Sequence, residues 1–93
     1  MEFIWHDQKA KSNVTKHGVK FEEAKSVFSD EYARLKHDPN NSIEEDRYLL
    51  LGLSSLLNLL VVVHVEINDD VIRIISARKA NKNESNYYRS LRL

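Results

Sequence analysis

The chain has 93 residues, 42% of them hydrophobic, which is enough for a single domain over residues 1–93 with a modest core. It has no cysteine, so disulfides and thiolate metal sites are excluded; this is compatible with a reducing cytoplasm, where we expect the protein. The longest apolar run, 59–63, is far too short to span a membrane, and we expect no membrane association. The 14 basic and 14 acidic residues cancel, which by itself weakens a nucleic-acid-binding interpretation.

The distribution of charge along the chain is more informative than its sum. Residues 1–20 have four basic and two acidic residues, residues 21–70 have four and eleven, and residues 71–93 have six and one. If the two basic ends of the chain meet in the fold, they form a patch that attracts a phosphate backbone. The alternative is an ordinary polar surface, which composition alone favours.

The N-terminal third of the chain predicts a short strand followed by two helices. Asp7 is the predicted N-cap of the first helix, and Gly18 is the left-handed residue that ends it. Ala10 and Val14 should face the core, as should the apolar residues of the second helix. The predicted boundaries are a strand over 3–5 and helices over 8–17 and 21–28.

One face of the first predicted helix carries Lys9, Asn13 and either Lys16 or His17 at helical spacing. Lysine, asparagine and histidine side chains on one face can together hold a phosphate or start proton transfer. A solvated helix face with no further role is the alternative.

The rest of the chain predicts four strands and a last helix. Short connections between the strands favour antiparallel hairpins, and the order β-α-α-β-β-β-β-α indicates an α+β fold with helices packed on an antiparallel sheet. Asn81 and Glu84 have the spacing of a capping box, so a helix of about ten residues should follow. The middle strands are apolar on both faces, so helices should cover one face and a partner protein is a candidate cover for the other. The predicted strands are 31–37, 47–53, 59–67 and 71–77.

Several motifs follow one another along the chain: Phe-Ile-Trp-His-Asp at 3–7, Lys-His-Gly-Val at 16–19, Phe-Glu-Glu-Ala at 21–24, the Leu/Val run at 59–64, Arg-Ile-Ile-Ser-Ala-Arg at 73–78, and Glu84 with Tyr87-Tyr88. In this order they resemble the BrnT family, the toxin half of a bacterial type II toxin–antitoxin pair. The resemblance covers essentially residues 2–89. One departure is Leu57-Asn58, where the family tends to have Gly-Arg before its long strand.

The resemblance implies a fold similar to that of RelE-type ribonuclease toxins and an activity that cleaves RNA and slows translation. It implies no cofactor. The implied partners are an RNA substrate and a BrnA-like ribbon-helix-helix antitoxin, with DNA bound only through the toxin–antitoxin complex. The alternative function is a non-catalytic module that has lost nuclease activity and still binds an antitoxin.

RNA cleavage without a metal ion requires a base, an acid and stabilisation of the phosphorane charge. No metal site is predicted, and imidazole titrates near neutrality, so His17 is the leading acid or base by residue type. A favourable charge at a helix C-terminus is its alternative role. The predicted catalytic residues are Lys9, His17, Arg73, Arg78 and Lys79, and the predicted RNA-binding residues are Lys16, Lys82 and Tyr88.

Several polar and aromatic residues of the chain also have structural interpretations. Arg73 lies on a strand and could instead stack flat on the sheet or pair with an acid on a neighbouring strand. Of Tyr87 and Tyr88, one can belong to the core while the other stacks on a base. His64, in an apolar strand, is expected to be a core or interface histidine. Arg78 and Lys79 precede a helix, where a phosphate site is geometrically reasonable, and the resemblance favours a functional role for them.

Overall fold

The computed structural model of the chain describes residues 1–91, which form an α+β fold with a five-stranded mixed sheet and three α-helices. Arg92, counted above in the basic C-terminal segment, lies outside the described residues. The strands are β1 (Glu2–Ile4), β2 (Arg34–His37), β3 (Arg47–Leu53), β4 (Leu59–Asn68) and β5 (Val71–Lys79). The helices are α1 (Asp7–His17), α2 (Phe21–Ser26) and α3 (Lys82–Ser90), with 3-10 turns at Val27–Ser29 and Pro39–Asn41.

The sheet has the order β1-β5-β4-β3-β2. The predicted hairpins are confirmed, because β2, β3, β4 and β5 are antiparallel neighbours. The prediction of a wholly antiparallel sheet is wrong at β1, which pairs in parallel with β5. No hairpin connects β1 to β5, so no short turn in the sequence indicates in which direction β1 runs beside β5.

One face of the sheet, here called the closed face, is covered by α1 and α2. Its core is built from aliphatic side chains of the three central strands together with residues of α2 and the segments flanking it. Burial of each large aliphatic side chain contributes about 1.5–3 kcal/mol, so this face supplies most of the hydrophobic stabilisation. The buried members are Val19, Phe21, Ala24, Val27, Leu50, Leu60, Val62, Ile72, Ile74 and Ala77.

Asn13 sets the rotation of α1 on the closed face. Its Oδ1 accepts the Ala77 N–H at 3.0 Å, and its Nδ2 donates to the carbonyls of Val19 and Ala77, both at 2.8 Å. β1 pairs with β5 only as far as Arg73, so the Asn13 amide satisfies backbone groups of β5 beyond the end of β1. The prediction that Val14 faces inward is therefore wrong: Val14 is 42% exposed, whereas Asn13 is 4% exposed.

The helix termini were predicted with mixed success. Gly18 ends α1 with φ of 69°, and Asn81 and Glu84 form the predicted capping box. The prediction of Asp7 as N-cap is wrong, because His6 occupies that position without a side-chain bond and Asp7 is the first helical residue. An acid in the first turn is still favourable next to the positive end of the helix dipole.

The second face of the sheet, here called the open face, is only partly covered, and its cover is α3. Tyr88 packs there with Leu51 and Val61, and its hydroxyl donates to Asp30, which also accepts the Leu53 N–H at 2.8 Å. Asp30 follows the 3-10 turn that packs on β3, so it ties α3 to the segment between α2 and β2. No helix within residues 1–91 is long and apolar enough to cross a membrane.

Candidate functional site

The two ends of the sheet differ in charge. β1 pairs with β5 up to Arg73. Asn13 of α1 bonds to Ala77, which lies further along β5, so α1 runs along β5 in the direction of that strand. The C-terminus of α1 therefore lies at the end of the sheet where β5 finishes and α3 begins. We call this region the basic end, and its side chains are Lys16 and His17 from α1, Arg78 and Lys79 from β5, and Lys82 from α3.

The opposite end of the sheet carries the loop between β2 and β3 and the turn between β4 and β5. Both connections are rich in carboxylates, so we call this region the acidic end. The zero net charge therefore conceals a separation of charge along the strands, and α1 of the basic N-terminal segment packs on β5 of the basic C-terminal segment. The acidic end includes Asp38, Glu44, Glu45, Asp46, Glu66, Asp69 and Asp70.

At the basic end, Arg78 holds the first turn of α3 against β5. Its two terminal nitrogens donate to the two Glu84 carboxylate oxygens, each at 2.8 Å. These bonds raise the pKa of Arg78 and lower the pKa of Glu84 from their ordinary values. Arg78 thus has a structural partner that sequence analysis did not identify, although 40% of its side chain stays exposed.

The other basic side chains at this end are exposed. Lys16, His17, Lys79 and Lys82 form no ion pair with any residue in the described part of the chain. Exposed cations without acidic partners are available to phosphate groups, and lysine binds phosphate as a point charge.

The other predicted site residues lie elsewhere. Arg73 pairs with Glu45, which lies in the loop at the acidic end and not on a neighbouring strand. Lys9 is exposed on α1, ~12 Å along the helix axis from His17 at 1.5 Å per residue. Tyr88 is 3% exposed, so its ring is enclosed and the prediction that it stacks on a base does not fit this fold. Tyr87 is 55% exposed and is the better candidate for stacking.

A groove of about 590 Å³ runs over the open face between β2 and α3. Its floor is apolar and includes Leu49, Leu51 and Val61, and Arg34, Leu35 and Lys36 line its β2 edge. Sequence analysis missed both basic residues as functional candidates, although their alternation in 34–37 was visible and places them on one face of a strand. The α3 side of the groove is formed by Asn83, Glu84 and Tyr87.

His64 is buried, as predicted for a core histidine. Its ring stacks on Tyr48 at 6.0 Å between centroids and meets Phe28 edge-on at 4.9 Å. Burial lowers the pKa of His64, although the Val62 carbonyl and the charge of Glu66 act in the opposite direction. No group of three His, Asp or Glu side chains among residues 1–91 is arranged to hold a metal ion.

The fold is a small α+β domain with exposed basic side chains at one end of its sheet. The sequence profile of the family described as "Ribonuclease toxin, BrnT, of type II toxin-antitoxin system" matches residues 5–84. The 1.1 Å crystal structure of the Brucella abortus ribonuclease toxin BrnT is similar, with a TM-score of 0.64 and 25% sequence identity. That similarity covers 88% of this chain and 99% of the Brucella chain.

No curated protein matches the sequence significantly. The profile match nevertheless spans most of the chain, and the similar crystal structure agrees with it. The chain therefore belongs to the BrnT family of ribonuclease toxins of type II toxin–antitoxin systems, and the resemblance found in the sequence is confirmed.

Proposed function

We propose that the chain is an endoribonuclease toxin that cleaves RNA without a metal ion, inhibits translation and is neutralised by a BrnA-like ribbon-helix-helix antitoxin. The observation that carries the proposal is the group of exposed, unpaired basic side chains at the basic end, in a chain of a ribonuclease-toxin family. Similarity to RelE-type toxins and a cytoplasmic location belong to the same proposal.

In the proposed reaction the RNA supplies its own nucleophile. The 2′-oxygen loses a proton and attacks the adjacent phosphorus, the bond from phosphorus to the 5′-oxygen breaks, and the 5′-oxygen gains a proton. His17 exchanges these protons as general acid or base, and Lys79 at the end of β5 stabilises the extra charge on the phosphorane, while Arg78, which points to the opposite face of the strand, adds positive charge from the open face. Arg78 can do so only with part of its guanidinium, because Glu84 occupies its two terminal nitrogens.

The remaining basic residues have lesser roles in this proposal. Lys16 and Lys82 lie beside the reacting phosphate and hold neighbouring phosphates of the strand. Lys9 and Arg73 are too far from the basic end to act on the same phosphate, so we assign them to a longer RNA strand at most. DNA is contacted only through the antitoxin complex.

The proposal is tested by incubating the purified chain with RNA in the presence of EDTA. We expect cleavage, and we expect His17→Ala and Lys79→Ala each to reduce the rate by about 100-fold, the usual cost of a lost acid–base or charge-stabilising group. Lys25→Ala is the matched control, because Lys25 lies on α2 and pairs with Glu22 at 3.3 Å. Arg78→Ala is a less clean variant, since it also releases α3 from β5.

Three results would contradict the proposal: intact RNA with folded protein, activity abolished by EDTA, or full activity in both variants. Intact RNA together with tight binding of the cognate antitoxin would favour the alternative, a non-catalytic antitoxin-binding module. Circular dichroism and a melting curve for each variant separate loss of activity from loss of fold.

A further inference from the structure

The strand β2 lies at the edge of the sheet and pairs on one side only, with β3. Its register places Arg34 opposite Leu51 and Lys36 opposite Leu49. All four of its residues are exposed. An edge of this kind presents unpaired backbone groups and is a template for another strand.

The backbone groups that point outward can be assigned from the register. The Asp38 N–H bonds to the Arg47 carbonyl at 2.9 Å, which continues the β2–β3 ladder by one residue. Hydrogen-bonded pairs alternate in an antiparallel ladder, so Arg34 and Lys36 turn their backbone groups towards β3. Leu35 and His37 therefore turn their N–H and C=O groups away from the sheet, where no described residue bonds to them.

Arg34 and Lys36 determine which strand can use this edge. Their side chains lie on the open face and form no ion pair with any residue in 1–91. A second copy of β2 would bring two more cations opposite them, and like charges opposite one another in a sheet are destabilising. A strand with carboxylates on that face is favoured instead.

The other face of β2 selects for apolar residues. Leu35 is 55% exposed there and borders the Leu50 position of β3. An incoming strand that places an apolar side chain beside Leu35 buries area that is now in water. The pattern that fits this edge therefore alternates acidic and apolar residues.

We propose that an extended segment of the antitoxin, with alternating acidic and apolar residues, adds to the sheet as a sixth strand along β2. This inference rests on the proposed function, because it takes the antitoxin as the partner. The carboxylates of the added strand pair with Arg34 and Lys36, and its backbone bonds to the outward N–H and C=O groups of Leu35 and His37. The added strand also closes the outer side of the groove. RNA is the less suitable occupant, since it cannot continue the ladder or cover Leu35.

The experiment measures amide hydrogen exchange by NMR in the full chain, alone and with the cognate antitoxin. We expect the Leu35 and His37 amides to exchange at least tenfold more slowly in the complex, while the Lys36 amide, already in the ladder, changes less. Protection elsewhere with no change at Leu35 and His37 would overturn the inference and leave the proposed function intact. Absence of any antitoxin binding would instead refute the antitoxin part of the proposed function.

Two variants complete the test. The double variant Arg34→Glu with Lys36→Glu should weaken antitoxin binding at least tenfold. The control is Lys11→Glu with Lys20→Glu, the same charge change on α1 and just before α2, which should change antitoxin binding less than threefold. Leu35→Pro removes one outward N–H without breaking the ladder to β3 and should weaken binding to a similar extent. Equal affinity for all variants would overturn the inference.

The other occupants give distinct results. Protection of Leu35 and His37 by an RNA oligonucleotide but not by the antitoxin would make the edge an RNA surface. Protection that increases with concentration of the free chain would indicate a second copy. Either result overturns the inference.

Discussion

The closed and open faces of the sheet are built from similar apolar strand residues, but the helices cover them to different extents. The closed-face core is one continuous cluster of ten buried residues that includes Phe21 and Ala24 of α2, whereas the open-face cluster has three, one of them Tyr88 of α3, and a groove lies beside it. Since β4 is apolar on both faces, strand sequence alone does not distinguish them. The difference shows that the covering helices decide which face supplies most of the core and which face keeps a groove.

The largest expected effect on stability comes from two adjacent leucines of β4 that point to opposite faces of the sheet. Leu60 is fully buried on the closed face, so Leu60→Ala should lower the free energy of unfolding by about 3 kcal/mol. Leu59→Ala, on the half-covered open face, should cost only about 1 kcal/mol. Urea unfolding monitored by circular dichroism measures both, and equal losses would contradict the distinction between the faces.

Asn13 tests whether the polar face of α1 is structural. Asn13→Ala leaves the Ala77 N–H and two carbonyls without partners in a buried position, which should cost about 2 kcal/mol. Thr15→Ala, at an exposed position of the same helix, is the control and should cost much less. If Asn13→Ala abolished RNA cleavage at full stability, our assignment of Asn13 to the fold would be wrong.

Leu57 tests the turn between β3 and β4, which Glu23 of α2 holds through Ser54 and Asn58. Leu57 has φ of 64°, a left-handed conformation that costs a leucine about 1 kcal/mol. Leu57→Gly removes that strain but loosens the unfolded chain, so we expect a net gain of about 0.5 kcal/mol. Thermal melting measures the gain, and a similar gain in Leu56→Gly would show that strain is not its cause.

The smallest effect concerns the pH dependence of the closed face. Burial holds the pKa of His64 below its ordinary value of 6.5, so the folded protein keeps this imidazole neutral where the unfolded chain protonates it. Stability should therefore be complete above pH 6.5 and decrease as the pH falls from there towards the lowered pKa. His64→Phe should flatten that part of the profile, whereas His6→Phe, at an exposed position, should leave it unchanged; chemical denaturation across the pH range compares them.

Local signals predicted most of the fold. Gly18, the Asn81–Glu84 capping box and the hairpins of β3, β4 and β5 depend on neighbouring residues, and the sequence displays those neighbours directly. The errors depend on contacts distant in sequence. The parallel direction of β1 and the rotation of α1 are both set against β5, more than 60 residues away for Asn13 and Ala77.

The candidate site was predicted less well for the same reason. The partner of Arg73 is Glu45, 28 residues away, and the enclosure of Tyr88 depends on Asp30, 58 residues away. Arg34 and Lys36 are recognisable as candidate binding residues only in the folded chain, where β3 and α3 form a groove beside them. A basic residue's type predicts that it can bind phosphate, but only its neighbours determine whether it is free to do so.

The opposite charges at the two ends of the sheet bear on how the molecule meets its ligand. A molecule with zero net charge feels little attraction to a distant polyanion, but its charge separation produces a torque that turns it in the polyanion's field. The basic end therefore points towards an approaching nucleic acid before contact, and the carboxylates at the far end point away. This alignment acts over roughly 10 Å at 0.1 M salt, so adding salt slows productive encounters even though the protein has no overall charge to screen.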